Sequence, residues 1–147
     1  MAIQDFSQSL PMMLYQALDE ILPKFRCIFN DYGLTEQQWR ILRVLWEHKR
    51  IALGKLSEVT LIPPPSLVGI VDRLEKAELI SRHRSKKDRR IIYISATQKG
   101  RDLEAEVMPR VLDTYNQIKE PFSQDEWSQL IGSLKKISVN VNKNGAL

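Results

Sequence analysis

Most of the positive charge of this chain is concentrated in one short segment. Between Ser81 and Arg101 there are eight lysines or arginines and one aspartate, a surplus of seven in a 147-residue chain whose net charge is +4. The rest of the chain is therefore net acidic. Cations gathered on one element, rather than scattered over the surface, are typical of a site that binds DNA. The simpler alternative is a solvated hairpin whose charges only keep the protein soluble.

The residues before and within this segment predict a helix followed by a hairpin. Apolar side chains recur at helical spacing in Pro63–Lys76 and predict one buried face, while the opposite face is small or cationic. Two β-like runs follow, separated by the charged turn 85–90. A helix with an open first turn can enter the major groove, and a cationic hairpin can reach the minor groove or the phosphates. The predicted buried residues are Leu67, Ile70, Val71 and Leu74, and the predicted open face carries Ser66, Gly69, Arg73 and Lys76.

The sequence contains few residues suited to disulfide formation, metal binding or catalysis. Cys27 is the single cysteine, which excludes an internal disulfide, and His48 and His83 are too few and too separated for a metal site. No nucleophile–base spacing or phosphate-binding glycine loop is present, so we predict no enzymatic activity and no cofactor. No apolar run is long enough to span a bilayer, and the first residues do not resemble a signal peptide. We therefore expect a cytoplasmic protein that does not bind membranes.

The periodicity predicts a mainly α-helical fold with a small β-hairpin. A winged helix-turn-helix module is predicted over residues 34–96, with Thr35 capping its first helix. Amphipathic helices are predicted over 7–30 and 97–142, and these have no sheet to cover their apolar stripes. We expect them to form a dimer interface within a single domain, 1–147, which would place two winged modules about 34–36 Å apart on DNA. The alternative is a monomer whose flanking helices pack on the winged module.

An ordered series of short motifs runs along the chain: Leu34-Thr35, Asp72-Arg73-Leu74, Leu79-Ile80, Asp88-Arg89-Arg90 with the strand Ile91–Ser95, and Thr97-Gln98-Lys99-Gly100. Across essentially the whole chain, this series resembles the MarR family of bacterial transcription regulators. Within the family, LTEQQWRILRVL and PPPSLVGI are most similar to the repressor type that controls homoprotocatechuate (4-hydroxyphenylacetate) degradation. Two residues depart from the family pattern. Glu78 replaces the usual glycine, so a different helix ending is expected there, and Ala96 replaces a favoured leucine.

The resemblance implies how the chain contacts double-stranded DNA. Asp88 would orient the hairpin by pairing with an arginine. Arg90 or its neighbour Arg89 would enter the minor groove, where narrow A·T tracts concentrate negative potential. The lysines of the hairpin would act through phosphates. The predicted DNA-binding residues are Lys55, Pro64, Pro65, Ser66, Leu67, Gly69, Arg73, Arg84, Lys86, Lys87, Asp88, Arg89 and Arg90, of which Ser66, Leu67 and Gly69 would lie at or near base edges and Arg73 near phosphates or the neighbouring helices.

The resemblance also implies a small phenolic or aromatic acid as an effector, bound between the dimer helices and the winged module. Such a pocket needs apolar walls for the ring and a cation for the carboxylate. Arg26 is predicted as the anchor and Trp39 as a ring wall. An arginine among apolar residues is, however, often a surface residue with a buried stem, and a buried tryptophan is ordinarily core. The predicted effector-binding residues are Arg26, Trp39, Arg40, Arg43, Tyr15 and Tyr115.

These inferences predict a dimeric repressor of an aromatic-acid catabolic operon, bound to a pseudo-palindromic operator and released by its ligand. Two alternatives remain open. One is a thiol-redox sensor on the same scaffold, acting through Cys27, although a lone buried cysteine is more often inert. The other is an architectural module that binds DNA without sequence preference through salt-dependent contacts alone.

Overall fold

A computed structural model describes residues 5–143, with side-chain surroundings up to residue 139. It divides into two compact units, one ending at Val111 and the other beginning at Leu112. Within the described residues there are six α-helices and three short strands, so the prediction of a mainly α-helical fold with a small β element is confirmed. None of the described helices is long and apolar enough to cross a bilayer. The elements are a 3-10 turn at Phe6–Gln8, α1 Leu10–Asp31, α2 Glu36–Glu47, β1 Ile51–Ala52, α3 Leu53–Thr60, α4 Pro64–Lys76, β2 Ile80–Arg84, β3 Ile92–Ala96, α5 Gln98–Lys119 and α6 Gln124–Lys143.

The junction between α1 and α2 is specified by local sequence. Helix α1 continues through Pro23, which is exposed, so that water can satisfy the carbonyl that the proline leaves without a donor. Gly33 ends the helix with φ +66°, the left-handed conformation that favours glycine. Thr35 then opens α2 with a reciprocal capping box. The Gln38 N–H donates to Thr35 Oγ1 at 3.1 Å, and the Thr35 N–H donates to Gln38 Oε1 at 3.0 Å.

The core of the first unit is built around α2. Ile41, Leu42 and Leu45 are fully buried, because α2 is apolar on most sides, as its sequence predicts. The Trp46 indole N–H donates to the carbonyl of Gly100 at 2.9 Å, which satisfies the polar atom of a buried tryptophan. This core also holds the inward face of α4, which consists of Leu67, Ile70, Val71 and Leu74.

A third strand, which the sequence analysis did not predict, completes the sheet. β1 pairs with β3 through Ile51 opposite Ile94, which gives the antiparallel order β1-β3-β2. A two-residue strand is too short for an alternating pattern to be recognised. The predicted hairpin is present, and the β2–β3 pairing runs up to Arg84 opposite Ile92. Because β3 is paired on both sides, the charged loop beyond Arg84 extends from a sheet that is held at its base.

The end of α4 adopts the backbone conformation that a glycine would give. Glu78 has φ +61°, so the expectation of a different helix ending at this residue is wrong. The side chain is accommodated at the usual cost of a left-handed conformation for an L-residue. The next residue, Leu79, accepts the Thr97 N–H at 3.0 Å through its carbonyl. A Cβ added at Gly100 would collide with that same carbonyl oxygen, so this glycine allows the start of α5 to approach the α4–β2 junction.

Each unit exposes apolar side chains on its helices. Apolar side chains exposed at helical spacing are typical of helices that pack against a partner. The sequence analysis assigned these helices to a dimer interface, and that assignment stays a prediction. In the first unit the exposed residues on α1 include Leu10, Met13, Leu14 and Leu18, and in the second unit they include Leu112, Leu130, Ile131, Leu134 and Ile137.

Candidate nucleic-acid interface

Helix α4 presents one exposed face beside its buried one. The Pro63 carbonyl accepts the N–H groups of Ser66 and Leu67, each at 3.0 Å, and the two following prolines form the first turn, where a missing N–H costs little. Ser66 and Arg73 are exposed and Gly69 is half-buried. Leu67, however, is only 1% exposed. Its predicted position at a base edge is therefore wrong, because the helical spacing turns it into the core.

Val68 is an exposed apolar residue on this helix that the sequence analysis missed. Its side chain is 48% exposed. It follows Pro64 by four residues and Pro65 by three, and both spacings lie on one helix face. That spacing was visible in the sequence and places Val68 on the proline flank of the exposed surface of α4, away from Ser66.

Arg82 of β2 ties the wing to α4. Its Nη2 lies 2.6 Å from Asp72 Oδ1 and donates to Glu75 Oε1 at 2.9 Å, and its Nε donates to Glu75 Oε2 at 3.3 Å. The hydrogen bonds from Arg82 hold the pKa of Glu75 below its ordinary value, and the same contacts raise the pKa of Arg82. Both groups are therefore charged at neutral pH. We call Arg82, Asp72 and Glu75 the wing base. The signal for it was the spacing of the two carboxylates, three residues apart on one face of α4.

The loop of residues 85–90, which we call the wing tip, is shaped by its own polar side chains. Ser85 Oγ accepts the backbone N–H groups of Lys87 and Asp88, each at 3.2 Å. The arginine that pairs with Asp88 is Arg90. Its Nε donates to Oδ1 and its Nη2 to Oδ2, each at 3.0 Å. These hydrogen bonds lower the pKa of Asp88. Arg90 remains 91% exposed, so the tip positions its guanidinium while leaving it open to a partner.

The other predicted DNA-binding cations differ in whether they bind other groups of the same chain. Arg84 donates from Nη1 to the carbonyl of Arg89 at 2.5 Å and so braces the wing tip. Lys55, at the start of α3, lies 3.1 Å from Glu58 in a pair that is mostly exposed on both sides. Such a surface pair contributes little stability and leaves Lys55 able to exchange a carboxylate for a phosphate. Lys86 and Lys87 are exposed at the tip.

Each of the three arginines predicted to bind the effector is paired with a glutamate. The guanidinium of Arg40 is the most engaged of the three, because its Nη1 also donates to the carbonyl of Thr60 at 2.8 Å, at the end of α3. Arg40 thereby links α2 to the turn before α4. The pairs of the other two lie at the surface, where an anion can replace a carboxylate at small cost. The pairs are Arg26–Glu36 at 3.5 Å, Arg40–Glu36 at 3.5 Å and Arg43–Glu47 at 2.9 Å.

The predicted aromatic contacts are divided between the two units. Trp39 is half-buried, and its ring centroid lies 4.6 Å from that of Phe29 and 5.4 Å from that of Trp46. Part of this tryptophan is therefore used in core packing. Tyr15 belongs to the first unit and Tyr115 to the second, and they are 69% and 45% exposed.

A separate cleft of about 480 Å³ opens in the first unit beside the end of α4. None of the six predicted effector-binding residues is among the described residues that line it. Its rim includes Lys99, whose Nζ donates to the Ala77 carbonyl at 2.9 Å. The cleft is lined by Tyr32, Gly33, Leu34, Gln38, Leu74, Ala77, Leu79, Lys99, Asp102, Leu103 and Glu106.

The chain is similar to known regulators along almost its whole length. Residues 34–92 match the model of the MarR family. The chain is 34% identical over 145 residues to the HTH-type transcriptional regulator FarR of Neisseria gonorrhoeae, covering 97% of this chain and 99% of the relative. It is 35% identical over 128 residues to the homoprotocatechuate degradative operon repressor of Escherichia coli, covering 87% and 86%. A crystal structure of NadR in complex with 4-hydroxyphenylacetate superposes with a TM-score of 0.80 at 33% identity, covering 93% of this chain and 97% of that one.

Proposed function

The chain belongs to the MarR family of transcriptional regulators, and on that premise we propose that it is a sequence-specific, dimeric repressor of an aromatic-acid catabolic operon. A small phenolic or aromatic acid would release it from DNA. The observation that carries this proposal is the 35% identity, over 87% of the chain, to a repressor of homoprotocatechuate degradation. A relative that holds 4-hydroxyphenylacetate supports the same class of ligand. The relatives are named as regulators and repressors, so the chain is not an enzyme.

In the proposed complex with DNA, α4 lies in the major groove and the wing tip reaches the minor groove. The open face of α4 supports this arrangement, because Ser66 and Arg73 are exposed there. The 91% exposure of Arg90, on a loop that Asp88 orients, supports minor-groove insertion. Arg82 would keep the helix and the wing at a fixed spacing, since it joins them before DNA is bound.

MarR regulators bind DNA as dimers, and we propose that this chain does so through the exposed apolar residues of its flanking helices. α6 alone leaves Leu130, Ile131, Leu134 and Ile137 each more than a third exposed. Burying such a stripe against a second copy would contribute a hydrophobic free energy of roughly 25 cal/mol for each Å² of apolar surface removed from water. The dimer would present two copies of α4 to successive major grooves of a pseudo-palindromic site.

For the effector we propose a carboxylate contact from Arg26 or Arg43 and a ring contact from Trp39, with Tyr15 as a hydroxyl partner. Arg40 is the least available of the predicted arginines, because it already holds the Thr60 carbonyl. Arg26 must release Glu36, which lies 3.5 Å away across a partly exposed pair. A ligand bound there shifts the spacing of the two winged modules only to the extent that it binds the non-DNA-binding arrangement more tightly.

The test is fluorescence anisotropy or gel-shift binding to the promoter region that flanks the gene, with and without 4-hydroxyphenylacetate and its 3,4-dihydroxy analogue. We expect tight, sequence-specific binding that the acid releases. Removing Lys86 and Lys87 should weaken binding to any sequence and make it less salt-dependent. Tight binding that neither acid alters would refute the ligand assignment but keep the DNA-binding one. Weak binding without sequence preference would favour the architectural alternative.

One observation favours the redox alternative: Cys27 is exposed. An inert lone cysteine is usually buried. An accessible thiol can react with peroxide. If the chain is a redox sensor, peroxide should release it from the operator, and Cys27→Ser should abolish that release while leaving operator binding intact. Peroxide that fails to release the wild-type protein from the operator would reject this alternative.

A further inference from the structure

The exposed face of α4 has few groups that can read bases by hydrogen bonding. From Pro64 to Val71 the helix contains no arginine, lysine, asparagine, glutamine or glutamate, and its only side-chain hydrogen-bonding group is the hydroxyl of Ser66. Guanine and adenine are usually read by bidentate contacts from arginine, lysine, asparagine or glutamine. The first two turns of α4 cannot make those contacts.

The carboxylates that follow are already engaged. Asp72 and Glu75 could in principle accept a hydrogen bond from the amino group of cytosine. Both instead accept from Arg82, at 2.6 and 2.9 Å, and the hydrogen bonds from Arg82 hold Glu75 in its charged form. Their pairing with Arg82 makes these carboxylates less available to the amino group of cytosine.

The face does offer apolar contact and close approach. Val68 is 48% exposed and stands on the same side of α4 as the two prolines of the first turn. The space beside Gly69 is free of other atoms of the chain, because a Cβ built there meets no atom within 4 Å. The packing of the chain therefore does not require glycine at this position, although glycine weakens a helix interior. Its absence of a side chain gives a bound partner access to the backbone of α4.

We propose that α4 recognises thymine, through contact of Val68 with the C5-methyl groups that thymine exposes in the major groove. The inference rests on the proposed DNA-binding function and names the chemistry that this site reads. Thymine is the one base that presents a methyl group there, and an apolar side chain is its usual partner. The occupant is duplex DNA rather than a protein, because exposed cations that complement phosphates lie elsewhere on α4 and at the wing tip, and the two carboxylates on the flank of Val68 are paired with Arg82. Those cations are Arg73 and Lys76 on α4 and Lys86, Lys87, Arg89 and Arg90 at the wing tip.

The experiment begins by selecting high-affinity duplexes from a randomised library with the full-length protein. Each thymine of the selected half-site is then replaced by deoxyuridine, which removes only the methyl group, and affinity is measured by fluorescence anisotropy. At one or more positions we expect uracil to weaken binding about three- to fourfold, the effect of one buried methyl group. Val68→Ala should weaken binding to the thymine duplex about tenfold and should make binding insensitive to uracil at those positions.

Val59→Ala is the matched control, because Val59 is also a 48% exposed valine, on α3 rather than α4. It should retain the full response to uracil even if it changes overall affinity. Gly69→Ala supplies a second variant. It should raise the thermal midpoint of the free protein, since alanine favours the helix, and weaken operator binding about tenfold or more, since the new methyl group obstructs the approach.

The outcomes separate this inference from the proposed function. If no sequence is enriched in the selection, the proposed function fails. If a specific sequence is enriched but uracil is harmless at every position, or equally harmful in Val68→Ala and wild type, thymine reading by Val68 is overturned. Loss of binding on 7-deazaguanine substitution with indifference to uracil would instead assign base reading to a hydrogen-bond donor such as Arg73. Undiminished affinity in Gly69→Ala would overturn the close approach.

Discussion

The wing base and the wing tip belong to the same cationic segment but use their charges differently. At the base, Arg82 is directed inward to two carboxylates of α4. At the tip, four cations and one aspartate occupy residues 85–90, and all four cations are exposed. In the sequence alone, the cation of the wing base cannot be distinguished from the cations of the wing tip. A cationic surplus therefore marks a candidate interface only where the cations are not already committed to carboxylates on another element.

The two regions should therefore respond differently to mutation. A change at the base alters how β2, α4 and α5 fit together and should affect stability, with DNA binding lost as a consequence. A change at the tip removes contacts to a partner and should affect DNA binding alone. Comparing thermal midpoint with operator affinity in the same variants tests this division.

The largest effect is expected from Gly100→Ala, next to the wing base. The new Cβ would collide with the Leu79 carbonyl oxygen, a backbone atom that cannot move without shifting the junction of α4 and β2. We expect a loss of about 1–3 kcal/mol or more in the free energy of unfolding, measured by urea denaturation. Gly54→Ala is the control, because a Cβ there meets nothing within 4 Å. Equal stability of the two variants would show that the junction is not tightly packed.

Arg90→Ala should give the largest effect confined to DNA binding. It removes an exposed guanidinium from the tip and leaves Asp88 without its partner where DNA phosphates are proposed to lie. Operator affinity should fall about tenfold to a hundredfold at moderate salt, with no change in thermal midpoint. Arg101→Ala removes the same charge from an exposed position outside the wing and should cost less. An unchanged operator affinity in Arg90→Ala would defeat the minor-groove assignment.

Arg82→Ala should produce a smaller effect of mixed kind. Without the guanidinium, Asp72 and Glu75 become unpaired anions on the helix proposed to face DNA. We expect the thermal midpoint to fall by a few degrees and operator affinity to fall about fivefold to tenfold. Arg82→Lys should lie between the wild type and the alanine variant, because a lysine keeps the charge but loses the fork that serves both carboxylates.

The pH dependence gives an independent check on the wing base. Arg82 lowers the pKa of Glu75, so the stability from this pair is fully present above the ordinary glutamate pKa. It is lost as pH falls through the lowered pKa. The difference in thermal midpoint between wild type and Arg82→Ala should therefore be constant near neutral pH and shrink only in acid. A difference that persists unchanged below the titration of Glu75 would mean that Arg82 stabilises the wing in some other way.

Local signals in the sequence predicted most of the fold and only part of the site. The capping box at Thr35 and the glycine ending at Gly33 have the geometry that their residue types predicted, because both depend on residues within one turn. Leu67 shows a conflict between two signals. Helical spacing placed it in the core and the family resemblance placed it at a base edge, and spacing was right. The pairing of Arg82 with α4 and the strand β1 were missed, because both depend on which distant segments the fold brings together.

The smallest effect is expected from Glu78→Gly. This change also tests most directly the backbone conformation at the junction of α4 and β2. Glu78 holds φ +61° at the end of α4, a conformation that costs an L-residue roughly 1–2 kcal/mol. Glycine relieves that cost but gains more freedom in the unfolded chain, so a net stabilisation of about 0.5–1 kcal/mol is expected by urea denaturation. Its ion pair with Lys99, at 4.0 Å between exposed groups, contributes little.

Glu78→Ala separates the two causes, because it removes the carboxylate but keeps the Cβ. If alanine stabilises as much as glycine, the gain comes from charge rather than backbone conformation. If only glycine stabilises, the wing of this chain is joined to α4 through a strained residue.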